Sequence, residues 1–294
     1  MRVSKRSIVL LVGIVCASPV IAQQAYPNAD AAASALVDAL GTQKADLAKL
    51  DTVLGSKWRD YIPTEGVARS DVDAFLAKYR ERHAIEKRAD GKTVLSVGTQ
   101  AWTFPIPLVQ GAKGWAFDLK AGADEVRVRR IGRNELDALE SARAYHDAQM
   151  DYAEVDRDND GILEYAQKFI SSDGFHDGLY WSDDDTGEVS PLGALFADAT
   201  PGSDWHGYHF RILDSQGASA PGGAYKYKLG DNMVRGFALV AWPAKYDDTG
   251  VMTLVISHDG QVFEKDLGPG TDKLARAMKS FDPDSSWTEE KSNY

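Results

Sequence analysis

The chain has 294 residues, with 33 Lys and Arg against 44 Asp and Glu and a formal net charge of −11. That acidity argues against a nucleic-acid or anionic-membrane partner, since both need a basic surface. The single cysteine, Cys16, rules out a disulfide framework.

Residues 1–22 read as a secretory signal. Arg2, Lys5 and Arg6 form a basic start, residues 8–15 an apolar run short of a bilayer span, and Val20-Ile21-Ala22 a small-residue cleavage site. Gly13-Ile14-Val15 lacks the small residue that a lipid-anchor site places beside its cysteine. Cleavage after Ala22 leaves no cysteine, no membrane span and a charge of −14, because three basic residues leave with the signal. The expected location is the periplasm or the medium, and thiol chemistry is excluded.

The mature length suffices for one large core or two modest ones. In the first segment, 23–120, Asn28 can cap a helix carrying Ala32, Leu36, Ala39 and Leu40. A second short helix holds Leu47, Leu50 and Leu54. Ser70 with Asp73 resembles a capping box for a helix bearing Phe75, Leu76 and Tyr79. Strands are expected at 93–97, 102–109 and 115–119, with Pro105 and Pro107 placing the middle one at an edge or bulge. Helices followed by an antiparallel meander make an α+β domain. The order of elements is loosely similar to the nuclear-transport-factor-like fold.

Residues 121–134 read as a connector holding Arg127, Arg129, Arg130 and Arg133. Pairing with nearby acids or solvation is the favoured reading, and a phosphate or carboxylate ligand is the alternative.

The second segment, 135–294, opens with a helix capped by Asn134 and carrying Leu136, Leu139, Ala142, Tyr145 and Tyr152. An acidic loop follows, Asp156-Arg157-Asp158-Asn159-Asp160-Gly161-Ile162-Leu163-Glu164. It matches a calcium loop of the EF-hand type: Asp156, Asp158 and Asp160 at positions 1, 3 and 5, a turn glycine at 6, the Ile162 carbonyl at 7 and Glu164 at 9. Leu163 takes the apolar slot that docks such a loop on a core. Position 12 is Gln167, where a bidentate glutamate normally closes the shell, and Gln offers one neutral oxygen. A helical run over 163–170 is expected to complete the unit. The reading favours calcium in a structural role over a bare turn whose Asp and Asn side chains bond their own backbone.

Next comes an irregular stretch with Asp183-Asp184-Asp185 and a short helical signal over 191–199. Alternation around Tyr208, Phe210 and Ile212, and around Tyr225 and Tyr227, predicts half-exposed antiparallel strands. Residues 237–242 are apolar on both faces, which predicts a central strand. Strands 251–256 and 261–264 flank the turn His258-Asp259-Gly260, and a last helix is expected over 271–280. The fold class is therefore α+β: helices and a meander, then a long helix, the acidic loop and an antiparallel sheet.

Chemistry-bearing motifs are sparse. No HExxH or Walker loop is present. Gly217-Ala218-Ser219-Ala220-Pro221 misses a nucleophile elbow at its last position, and Gly268-Pro269-Gly270 lacks the third glycine of a dinucleotide loop. His206 and His209 sit three apart, which on a strand points them to opposite faces. Gly178-Leu179-Tyr180-Trp181 reads as a core anchor, with sugar or peptide stacking as the alternative.

Ordered motifs carry a resemblance: Trp102-Thr103-Phe104-Pro105-Ile106-Pro107-Leu108, Arg130-Ile131-Gly132-Arg133-Asn134-Glu135-Leu136, residues 156–167, Asp177-Gly178-Leu179-Tyr180-Trp181, Ser190-Pro191-Leu192-Gly193, Ala220-Pro221-Gly222-Gly223-Ala224-Tyr225, Gly236-Phe237-Ala238-Leu239-Val240-Ala241-Trp242-Pro243-Ala244 and Glu264-Lys265-Asp266-Leu267-Gly268. With them the chain resembles the bacterial domain-of-unknown-function family 2950 over nearly its whole mature length. The resemblance implies an exported protein and brings no catalytic residues. The second segment is also similar, at fold level, to pilin and pseudopilin globular domains, though it lacks the hydrophobic pilin stem. Together these readings favour a non-enzymatic envelope protein that binds a protein or small ligand. The alternative is a hydrolase acting on a peptide or glycan in a cleft between the segments.

Overall fold

Local polar caps start the first helices, and apolar spacing buries them. In the computed structural model, which describes residues 23–62, 67–182, 187–193 and 204–291, α1 spans Ala29–Leu40, and the Asn28 side chain accepts from Ala31 N. Asp46 caps α2 (Leu47–Leu54) through Ala48 N and Lys49 N. Helix α3 (Arg69–Glu81) departs from the expected cap. Asp71 Oδ2 accepts from Ala68 N, and Asp73 pairs with Arg69 one turn away. Ser70 and Asp73 therefore form no box.

The chain divides into two compact units, Met1–Val126 and Arg127–Tyr294. In the first, β1 (His83–Lys87), β2 (Thr93–Val97), β4 (Leu108–Gly111) and β5 (Gly114–Phe117) pair in that order, and β3 (Trp102–Thr103) pairs with β2. The strand expected over 102–109 is thus split. Pro105 and Pro107 have no N–H to donate, so the ladder stops between Thr103 and Leu108. The edge strand β1 has no buried residue, which is why no apolar alternation announces it. Ala32, Leu36, Ala39, Leu50, Leu54 and Trp58 pack with Leu108 and Phe117 as the core.

Helix α4 spans Leu119–Tyr152, so the arginine-rich stretch is helical and Asn134 lies inside a helix rather than at its start. The Asn134 side chain instead donates to Thr249 O at 2.8 Å. The face it buries carries Ala138, Ala142, Tyr145, Ala148 and Tyr152, at spacings of three and four. Leu136, expected on that face, is exposed.

The second unit is built on an antiparallel sheet in the order β14 (Thr288–Glu289), β13 (Val262–Asp266), β12 (Met252–Ser257), β11 (Ala238–Pro243), β6 (Tyr208–Leu213). The near-continuous apolar run becomes β11, buried throughout between β12 and β6. The strand expected around Tyr225 and Tyr227 is broken into two pairings. β8 (Tyr225–Lys226) pairs with β7 (Ser215–Gln216), and β9 (Lys228–Leu229) pairs with β10 (Asn232–Met233). The last helix, α5, is shorter than expected, Thr271–Ala277. Residues 1–22, Asp183-Asp184-Asp185 and most of 191–199 lie outside the described residues.

Candidate metal centre

The acidic loop leaves the C-terminal end of α4. Its backbone turns sharply at Asn159 (φ 61°) and Gly161 (φ 85°), the two residue types that tolerate that region best. The turn gathers Asp156, Asp158 and Asp160, each with one carboxylate oxygen within 4.8 Å of the others. Asp156 Oδ2 accepts from Gly161 N at 2.9 Å, Asp158 Oδ1 from Asp160 N at 3.3 Å, and Asp160 Oδ1 from Ile162 N at 2.8 Å. These bonds also describe a self-bonded Asx turn. One atom stands outside them: Asp156 Oδ1 is buried and makes no hydrogen bond of ordinary geometry, although the Asn159 and Asp160 N–H groups also act on this carboxyl. The Gly161 N–H holds the Asp156 carboxyl below its usual range, against an opposing desolvation. Burial pushes the Glu164 carboxyl up; the Met233 N–H opposes this, and the charges of Asp158 and Asp160 reinforce it.

The exit from the loop is where sequence and structure part. Residues 163–170 form no helix. Leu163 is 56% exposed rather than buried in a core, and Ile162 is exposed beside it. The chain runs on as an irregular segment bonded to distant backbone. Tyr165 N donates to Met233 O at 2.8 Å, and Glu164 Oε2 accepts from Met233 N at 3.0 Å. Asn232 Nδ2 donates to Asp160 Oδ2 at 2.6 Å, and Gln167 Nε2 to Asp231 O at 2.6 Å. The β9–β10 turn therefore holds positions 5, 9 and 12 of the loop. A following helix would turn position 12 back over the loop; here the Gln167 amide nitrogen is spent on the hairpin.

On the inner side, Gln149 of α4 is fully buried and grips Ala166 by both backbone groups, each at 2.8 Å. Arg157, between the first two loop acids, points the other way. Its guanidinium donates to Tyr152 O and Val155 O, pairs with Glu188 at 3.1 Å, and lies 4.4 Å over the Tyr152 ring. Glu188 also meets His176 Nδ1 at 2.9 Å, and the His176 ring stacks on Trp181 at 4.1 Å. Gln149, Arg157, His176 and Glu188 were not singled out from the sequence, because each is a lone polar residue whose partner is far along the chain or comes from irregular structure.

The other sequence candidates separate. His206 is exposed on a turn, 3.7 Å from Asp137, and His209 lies on β6 with its ring 5.4 Å from Trp242. Arg127 and Arg130 pair with Asp247 and Asp248, as the pairing reading expected. Leu179 and Trp181 are buried in the core. Ser219 sits in a turn whose N–H bonds Asp282, and no helix follows it.

These features define an α+β protein in which a long helix delivers an acidic loop onto a sheet domain. The chain belongs to the family described as Protein of unknown function (DUF2950), whose profile matches residues 23–289. Comparison with curated proteins and with solved structures finds no match.

Proposed function

We propose that this is an exported, non-enzymatic envelope protein that binds calcium as a structural ion and acts as a binding or assembly factor. The ion would sit among Asp156, Asp158 and Asp160, with Glu164 direct or through water and Ile162 O from position 7; Gln167, bonded to the hairpin, would reach the ion only if its side chain turned back over the loop. The observation that carries the reading is the buried Asp156 Oδ1, with no hydrogen bond of ordinary geometry, beside two further carboxylates. Three like charges at that separation repel one another, and a hard divalent cation with oxygen ligands turns the repulsion into attraction. Export rests on the signal-like residues 1–22, and the family match beginning at residue 23 supports it. Among the described residues no helix is long and apolar enough to cross a membrane.

Thermal unfolding of residues 23–294, with calcium and with a chelator, tests the proposal. A native-state binder at one hundred times its dissociation constant contributes about 2.7 kcal/mol. For a unit of this size that is a rise of about 5–10 °C in melting temperature. Asp158→Ala should abolish the rise while leaving the chelated protein little changed, because Asp158 is exposed and the bond its Oδ1 accepts from Asp160 N is long, at 3.3 Å. Equal melting with calcium and chelator would reduce the loop to an Asx turn.

A further inference from the structure

Beside the edge strand β6, a cavity of about 290 Å³ is lined by Arg211, Lys228, Lys279, Gln167, Met233 and a single acid, Asp214, among others. Three cations against one carboxylate invert the balance of a chain with an excess of acids. The arginines of α4 show what this protein does with cations it uses structurally, pairing Arg127 with Asp247 and Arg130 with Asp248. The cavity cations are left differently. Among the described residues, neither the Lys228 nor the Lys279 ammonium has a hydrogen bond or ion pair, and Arg211 makes no ion pair within 4 Å, with Asp214 the one carboxylate near enough to act on its charge. Arg211 is nevertheless held in place: its Nη2 donates to Ala275 O at 2.8 Å and to Met278 O at 2.7 Å. Its Nε is buried, unpartnered and closed to solvent, so a ligand would meet the terminal nitrogens of the guanidinium.

A fixed guanidinium with donors to spare, flanked by two free ammoniums in a concave site, is an arrangement built for oxyanions. The volume suits a small molecule. We propose that this cavity binds a small phosphate- or carboxylate-bearing ligand through Arg211, Lys228 and Lys279. Gln167 and Met233 border both this cavity and the acidic loop, but the ligand contacts proposed are Arg211, Lys228 and Lys279 and the titration is run with a chelator present, so the two proposals can fail separately.

Isothermal titration of residues 23–294 with inorganic phosphate and with succinate, at pH 7 in low-salt buffer containing a chelator, tests it. Binding of either anion is expected, and which one binds tells phosphate from carboxylate chemistry. Lys228→Gln and Lys279→Gln should each weaken binding about tenfold with the melting temperature unchanged, and added salt should weaken it further. Arg211→Gln should weaken it more, but this variant also loses two backbone contacts, so the lysine variants carry the test. The proposal is overturned if neither anion binds, or if binding is the same in both lysine variants as in the parent.

Discussion

Gln149→Leu is the perturbation that best probes how the loop is attached. Gln149 is fully buried; its Nε2 donates to Ala166 O and its Oε1 accepts from Ala166 N, both at 2.8 Å, and Nε2 also reaches Tyr145 Oη at 3.0 Å. Leucine has similar volume, so the cavity contribution is small and the polar loss dominates. Ala166 is itself buried, so its N–H and C=O would be stranded without water. Each stranded group costs about 1–3 kcal/mol, so the substitution should cost about 4 kcal/mol. That is a large share of a typical domain stability of about 5–15 kcal/mol. The melting temperature of the unit should fall by about 10 °C, and the Ala166 amide should lose protection from hydrogen exchange. Gln149→Glu keeps the acceptor for Ala166 N but regains a donor only when protonated, so it should be more damaging at pH 7 than at pH 4. A loss below about 1 kcal/mol for Gln149→Leu, or unchanged Ala166 protection, would refute the reasoning.

Gly114→Ala should destabilise the first unit by about 2–4 kcal/mol, because Gly114 has φ 128° and an added Cβ would lie 2.4 Å from Tyr26 O; chemical denaturation followed by circular dichroism would show it. Arg157→Lys keeps the charge but loses the fork and the stacking on Tyr152, so a loss of about 2–3 kcal/mol and altered tryptophan fluorescence near Trp181 are expected. The Glu164 carboxyl is raised, so the native chelated protein holds this proton more tightly than the unfolded chain does. Its contribution is greatest below the usual glutamate value and falls as pH rises through the raised one. Stability measured from pH 4 to 7 should show that slope, Glu164→Gln should reduce it to the part that the similarly raised Glu264 supplies, and calcium should oppose it by favouring the Glu164 carboxylate.

Features legible in the sequence are those whose partners lie within a few residues. Asn28 and Asp46 accept from N–H groups two or three positions on, so their caps depend on little else. The His258-Asp259-Gly260 turn joins β12 to β13, and the run from Phe237 becomes the central β11, because turn chemistry and apolar character are written locally. The spacing of Asp156, Asp158 and Asp160 around Gly161 likewise brings three carboxylates together locally, with Asn232 adding one distant bond to Asp160.

The remainder was decided by groups far apart in sequence. Residues 163–170 have an adequate helical pattern, yet Gln149 takes both backbone groups of Ala166 from 17 residues away, and Tyr165 N donates to the distant Met233 O. Those bonds satisfy the backbone in a non-helical form, and a helix would have to break them. Asp248 answers Arg130 across 118 residues, and the cavity cations gather only when β6, β9 and the chain after α5 meet. A short-range pattern states what a segment prefers; which buried donor finds which acceptor depends on the packed chain, and there the cost of an unpaired group exceeds the small differences in local propensity.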